Sequence, residues 1–112
     1  MVGVAFNRWE GATSVIFVRK AQALPGKEFE AVKWGMEVAK QTSKIMGVEV
    51  AFGQQVGGPI GQLGWRATHA NMGALEAAMS KLLTNEQFAR NVAEHAPHLF
   101  VPGSGRDEFG TC

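Results

Sequence analysis

Residues 14–55, SVIFVRKAQALPGKEFEAVKWGMEVAKQTSKIMGVEVAFGQQ, decide the fold. They read as a strand, a helix and a second strand. Residues 14–24 are rich in β-branched and aromatic side chains, which suit a pleated and partly buried surface. Alternation puts Val15, Phe17, Arg19 and Ala21 on one face and Ile16, Val18, Lys20 and Gln22 on the other. Both faces begin apolar and end polar, so this strand starts under cover and emerges toward solvent or a pocket mouth. Pro25-Gly26 breaks the chain. Across residues 27–46, Phe29, Val32, Met36, Ala39, Ser43 and Met46 recur at steps of three and four, a helix with that stripe inward. Glu28 and Glu30 in its first turn and Lys44 in its last suit the helix dipole, and Gly47 suits the position after its end. Residues 48–55 are the second strand.

Working outward, residues 56–61 (VGGPIG) are a flexible connection and residues 62–69 (QLGWRATH) a third strand, hairpinned with the second. Asn71 caps the next helix, in which Leu75, Ala78, Met79, Leu82 and Leu83 repeat at helical spacing. Thr84-Asn85-Glu86-Gln87 has the form of a capping box with Thr84 at the cap, so a new helix starts there, with Phe88 and Val92 inward. His95-Ala96-Pro97-His98 ends it. Leu99-Phe100-Val101 is a short strand or a core cover, and residues 106–112 are a last strand or a tail. Residues 1–13 form an N-terminal extension or edge strand, and residues 14–112 a single domain. The order β-α-β-β-α, with a possible final strand, describes a two-layer α+β sandwich.

Composition excludes several functions. The net charge is +1 and no basic run exceeds Arg19-Lys20, which argues against a nucleic-acid surface. No apolar run approaches the ~18 residues of a membrane span. No basic segment precedes a long apolar block at the N-terminus, so no signal peptide is expected. The one cysteine, Cys112, permits no intrachain disulfide, which fits a reduced, cytoplasmic setting.

The strand ending before Pro25-Gly26-Lys27, the long helix, the hairpin and then GWRATHANMGALEAAMSKLLTNEQFARNVAEHAPHL (64–99) together resemble the dimeric α+β-barrel superfamily. The nearest flavour is that of its NIPSNAP-like and antibiotic-biosynthesis-monooxygenase-like groups. Trp65 is similar to the aromatic residue of their third strand. Residues 74–83 are similar to their following helix, and Thr84-Asn85-Glu86-Gln87-Phe88 to its break and restart. The resemblance implies a ferredoxin-like protomer that forms a homodimer through its sheet face. It also implies a frame that hosts many chemistries, cofactor-independent monooxygenases and cyclases among them.

Haem-degrading members pair a first-strand asparagine with a third-strand tryptophan and a helix histidine. Here Trp65 matches, but Asn7 precedes the first strand and Val92 stands at the histidine position.

Of the residues with chemistry, His69 closes the third strand just before a helix. With a pKa near neutrality it is a candidate general base or acid. Trp34 and Trp65 offer broad faces to a planar ligand, or to the core. Arg19 and Arg66 can grip an anion with a planar fork, or pair with Glu49 or Glu10. Gln54 and Gln55 lie near a strand end where a pocket opens. His95 and His98 have Pro97 between them and no third ligand nearby in sequence, so no metal is expected, and no cofactor either. The expected partners are a small apolar or aromatic molecule and a second copy of the chain. The competing reading is a non-catalytic ligand-binding or protein-interaction module.

Overall fold

A computed structural model describes residues 14–54 and 61–111. The elements are β1 (Val15–Gln22), α1 (Glu28–Met46), β2 (Val50–Gln54), β3 (Gln62–His69), α2 (Met72–Leu83), α3 (Glu86–Leu99) and β4 (Arg106–Thr111). The strands form one antiparallel sheet in the order β2-β3-β1-β4. This is the ferredoxin-like arrangement: α1 carries the chain over from β1 to β2, and β3 inserts between them. The final strand left open by the sequence forms, and it pairs with β1 from Val15↔Thr111 to Lys20↔Arg106.

The helices pack on one face of the sheet. Val15 and Phe17 cluster with Leu75 of α2. Leu63 and Ala23 cluster with Ala31, Leu99 and Phe100. Met46 clusters with Ala78 and Leu82, with Val50 and Phe88 packed against them. The register couples like faces, with Phe17 opposite Ala67, Arg19 opposite Trp65 and Ala21 opposite Leu63. The alternate positions, among them Val18, Lys20, Gly64 and Arg66, therefore point to the helix-free face.

The inner stripe of α1 differs from the expected one. Phe29 and Met36 are exposed at 76% and 53%, whereas Ala31, Gly35, Val38, Thr42 and Met46 face the sheet. The reason is steric. The rings of Phe52 and Trp65 rise from the sheet into the helix layer, and only small residues leave them room. Gly35 lets the Phe52 ring lie directly on the helix backbone, and Trp65 Nε1–H donates to the Gly35 carbonyl at 2.9 Å. Outside, Lys33 sits over the Phe29 ring at 5.6 Å.

The boundary between α2 and α3 lies one residue later than expected. Asn85, not Thr84, caps α3, and its Oδ1 accepts from Phe88 N–H at 2.8 Å. Thr84 ends α2 instead, its hydroxyl donating back to the Ser80 carbonyl at 2.8 Å. Asn71 caps α2 as expected, accepting from Ala74 N–H at 2.8 Å. Helix α3 also runs through Pro97 to Leu99. Proline there cannot donate the bond that would close on Ala93. The turn holds because its far end is tied down: Leu24 N–H donates to the Leu99 carbonyl and Val101 N–H to that of Gln22, both at 2.8 Å. Phe100 also bridges Ala23.

A Cβ placed at Gly35 would run into the Phe52 ring. Gly35→Ala should therefore lower unfolding free energy by about 1–3 kcal/mol. Urea denaturation followed by tryptophan fluorescence measures it, and Phe52→Leu in the same chain should recover part of the loss through the shared contact.

Candidate functional site

The buried residues under the helices fall into three clusters, two of them joined through Met79. Between them lies a cavity of about 470 Å³, within the ~300–1,000 Å³ range of small-molecule sites. Phe17, Arg19, Trp65 and Ala67 form its floor on the sheet. Trp34, Val38 and Thr42 of α1 form one wall, and Phe88, Val92 and Ala96 of α3 the other. Met79 and Leu82 of α2, Phe100 and the turn at 101–105 also border it, as do Lys20 and Arg66.

Aromatic rings touch in sequence along this wall. Phe52 tilts onto Trp65 at 5.2 Å between centroids, and Trp65 meets Phe100 edge-on at 6.1 Å. Phe100 tilts onto Trp34 at 5.7 Å, and Trp34 stacks with His95 at 6.3 Å. Both indole N–H groups are already committed. That of Trp65 goes to Gly35, and that of Trp34 goes to Asn91 Oδ1 at 3.2 Å. Thr42 Oγ1–H likewise donates to the Val38 carbonyl at 2.8 Å. A molecule in the cavity meets ring faces and methyl groups, with little hydrogen-bonding demand from the walls.

Arg19 is one of three charged residues on the border of the cavity, with Lys20 and Arg66. Its Nε and Nη2 donate to the two carboxylate oxygens of Asp107, at 2.7 and 3.0 Å. The hydrogen bond chiefly, and then the charge of Asp107, hold the guanidinium yet more firmly protonated, against the opposing effect of burial. The partners expected for it were Glu49 or Glu10. Glu10 lies outside the described residues. Asp107 takes the place of Glu49 because β4 pairs alongside β1 and sets the two residues directly opposite each other. Arg19 also lies over the Phe17 ring at 5.6 Å.

Of the other expected site residues, Arg66 also borders the cavity, while Gln54 and His69 do not. Arg66 is exposed and leaves the sheet on the helix-free face, opposite to Arg19, since Arg66 pairs with Val18 and Arg19 with Trp65. Gln54 is exposed at the end of β2, beside a separate hollow shared with Gln62, Val18 and Arg66. Gln55 and the glycine-rich tip at 56–60 lie outside the described residues, as do Asn7 and Cys112. Among the described residues, no three His, Cys, Asp or Glu side chains gather as a metal site would.

His69 is 2% exposed, and its Nε2 is buried without a hydrogen-bond partner. It pairs with Val15 across the sheet and is not part of the cavity lining. Burial pushes its imidazole below the ordinary pKa of 6.5. The residues that sequence reasoning missed are Asp107, Asn91 and Gln41. Asn91 Nδ2–H donates to Gln41 Oε1 at 3.0 Å. The available signal was an amide side chain lodged between Phe88 and Val92 on the inward side of a helix.

No family model and no curated protein matches this sequence. Solved structures do resemble its fold. An uncharacterized NIPSNAP-like domain protein from Burkholderia xenovorans superposes with a TM-score of 0.73 at 11% identity, over 88% of this chain and 84% of that one. A NIPSNAP family protein from Agrobacterium tumefaciens gives 0.71 at 16%, over 87% and 90%. SnoaB, a cofactor-independent oxygenase from Streptomyces nogalater, gives 0.63 at 15%, over 90% and 94%. The chain is therefore built on the α+β frame of NIPSNAP-like proteins and of this oxygenase, as its sequence resemblance implied.

Because His69 binds its proton less readily folded than unfolded, the unfolded chain holds more protons as pH falls through about 6.5. Stability should therefore be full above that pH and decline below it, levelling once the folded imidazole also protonates. His69→Met should flatten this part of the profile. Urea midpoints measured from pH 8 to 5 test both statements.

Proposed function

We propose that this protein binds a small, apolar or aromatic molecule between its sheet and its helices. The observation that carries the reading is the cavity of about 470 Å³ walled by Trp34, Trp65, Phe100 and Phe17. A cleft of this size with an almost wholly apolar lining is of the kind that small-molecule sites present. Apolar faces supply affinity, and the Arg19 guanidinium at the margin supplies a strongly polar feature that orients a bound molecule. Among the described residues the lining contains no carboxylate and no imidazole. That favours binding over acid–base chemistry centred on His69.

A catalytic reading is favoured by one specific likeness, the fold shared with a cofactor-independent oxygenase. In that reading Arg19 steadies negative charge that develops on the bound aromatic molecule. Mass spectrometry of small molecules released from the purified protein separates the two. A single retained species that disappears on exposure to oxygen supports catalysis, and one that persists unchanged supports binding alone.

We further propose that two copies pair through the helix-free sheet face. No described element covers Ile16 and Val18 there, and the face carries both charge signs, with Lys20 bonded to Glu108 at 3.3 Å and Arg66 exposed. Such a surface can be complementary to itself across a two-fold axis.

Val92→Trp projects a bulky ring into the cavity from α3. It should abolish saturable fluorescence enhancement of the probe 1-anilinonaphthalene-8-sulfonate while leaving the thermal midpoint nearly unchanged. Enhancement equal to that of the unmodified protein would place the probe elsewhere. For the pairing, Val18→Glu should convert a dimer to a monomer in light scattering coupled to size exclusion. A mass unchanged by the substitution would remove this face as the interface.

A further inference from the structure

The side chains that line the cavity offer hydrogen-bond donors of two kinds. The neutral ones are all committed inside the protein. Trp65 Nε1–H goes to the Gly35 carbonyl, and Trp34 Nε1–H to Asn91 Oδ1. Thr42 Oγ1–H goes to the Val38 carbonyl, and Ser104 Oγ–H to the Val101 carbonyl. The side-chain donors with capacity left belong to the three cations on the border, Arg19, Lys20 and Arg66.

Arg19 shows this most plainly. A planar guanidinium has two edges of paired N–H groups, and each matches a carboxylate. Asp107 occupies the edge formed by Nε and Nη2, at 2.7 and 3.0 Å. The N–H groups of the other edge, between Nη1 and Nη2, bond nothing among the described residues. The group is well seated. Asp107 holds it from β4, the Phe17 ring lies 5.6 Å from Cζ, and its strand neighbour across β1 and β3 is Trp65. A donor pair therefore stands free at the margin of an aromatic floor.

The charge around the border leans positive. Asp107 answers Arg19, while Glu108 is shared between Lys20 at 3.3 Å and Arg106 at 3.5 Å. Arg66 pairs with no acid among the described residues. Neither Asp107 nor Glu108 belongs to the lining. An anion at this border meets cations first, and the apolar walls beside it strengthen the attraction.

We infer that the ligand of the cavity is an amphipathic monoanion, a planar or otherwise apolar body bearing one carboxylate-type group. That group takes the free Nη1–Nη2 edge of Arg19, and the body lies against Trp65, Phe100 and Trp34. The inference rests on the binding function proposed above and adds the charge and orientation of the bound molecule. Lys20 and Arg66 raise the potential at the border without holding the group, because both leave the sheet on the helix-free face. Apolar contact supplies affinity, and Arg19 selects acids over their uncharged analogues.

A matched pair of probes separates these two contributions. 1-Anilinonaphthalene-8-sulfonate and N-phenyl-1-naphthylamine share one ring system, and only the first is anionic. In fluorescence titrations of the intact protein, Arg19→Gln should weaken the sulfonate by about tenfold, the scale of a charge-assisted hydrogen bond, and shift the neutral probe by less than about twofold. Arg90→Gln removes a positive charge from α3 outside the lining and should leave both probes unchanged. Equal weakening of both probes by Arg19→Gln would reduce Arg19 to a wall and overturn the inference. So would a loss of sulfonate binding in Arg90→Gln as large as that in Arg19→Gln.

A second measurement needs no substitution. 2-Naphthoate and its methyl ester compete for the bound neutral probe, and the acid should displace it at about one-tenth of the ester's concentration. An ester as effective as the acid would overturn the anion, whatever Arg19→Gln does to the fold. If neither fluorescent probe binds saturably, the binding function fails and this inference with it. If the neutral probe binds saturably and the anionic group gains nothing, the binding function stands and only this inference fails.

Discussion

The sheet's large rings reach the helix layer only where α1 presents no side chain of its own. Gly35 is that place. Phe52 lies on its backbone, Trp65 bonds its carbonyl, and the roll of α1 about its axis follows from the contact. Once Ala31, Gly35, Val38 and Thr42 are turned inward, Phe29 and Met36 must turn out. The same rotation aims Trp34 at Phe100 and fixes one wall of the cavity. A helix that buried Phe29 and Met36 instead would fill the interior and leave no room for Trp65.

The cavity is a consequence of how apolar volume is distributed. A single well-packed core would maximise dispersion contacts. Here three smaller clusters serve, anchored by Leu63, by Val15 with Phe17, and by Met46 with Leu82. Each is stable because small residues interdigitate with larger ones from the facing layer, while the space among them stays open. Ring-to-ring contacts from Phe52 to His95 brace that space without closing it. Both indoles donate inward to the protein, so the ring positions do not depend on a bound molecule.

Polar contacts play a different part. The Arg19–Asp107 pair is partly exposed, at 42% and 38% of the side chains, so its net contribution is about 0.2–1 kcal/mol. Its importance is geometric, since it joins β4 to β1 and holds the guanidinium at the cavity margin. Asn91 is similar. Its bonds add little to stability, and they join α3 to Trp34 and Gln41 of α1. His69 is the contrary case, a buried group whose unpartnered Nε2 makes stability depend on pH.

The succession of strands and helices was legible in the sequence, because alternation, helical spacing, Pro25-Gly26, Gly47 and Asn71 are local signals that tertiary contacts did not override. Trp65 and Trp34 were legible only as broad rings for a planar ligand or for the core, and the folded chain puts both on the border of one cavity. Three things were decided only by the folded chain. The inward face of α1 was one, since hydropathy ranks Phe29 above Gly35 while packing against Phe52 ranks them the other way. The partner of Arg19 was another, because Asp107 is 88 residues away in sequence and meets it only through strand pairing. The last was the separation of His69 from the cavity, which Arg19 and Arg66 both border from opposite faces of the sheet. Strand register and the alternation of faces determine which side chains share a space, and a sequence read on its own places residues on elements without saying which elements stand side by side.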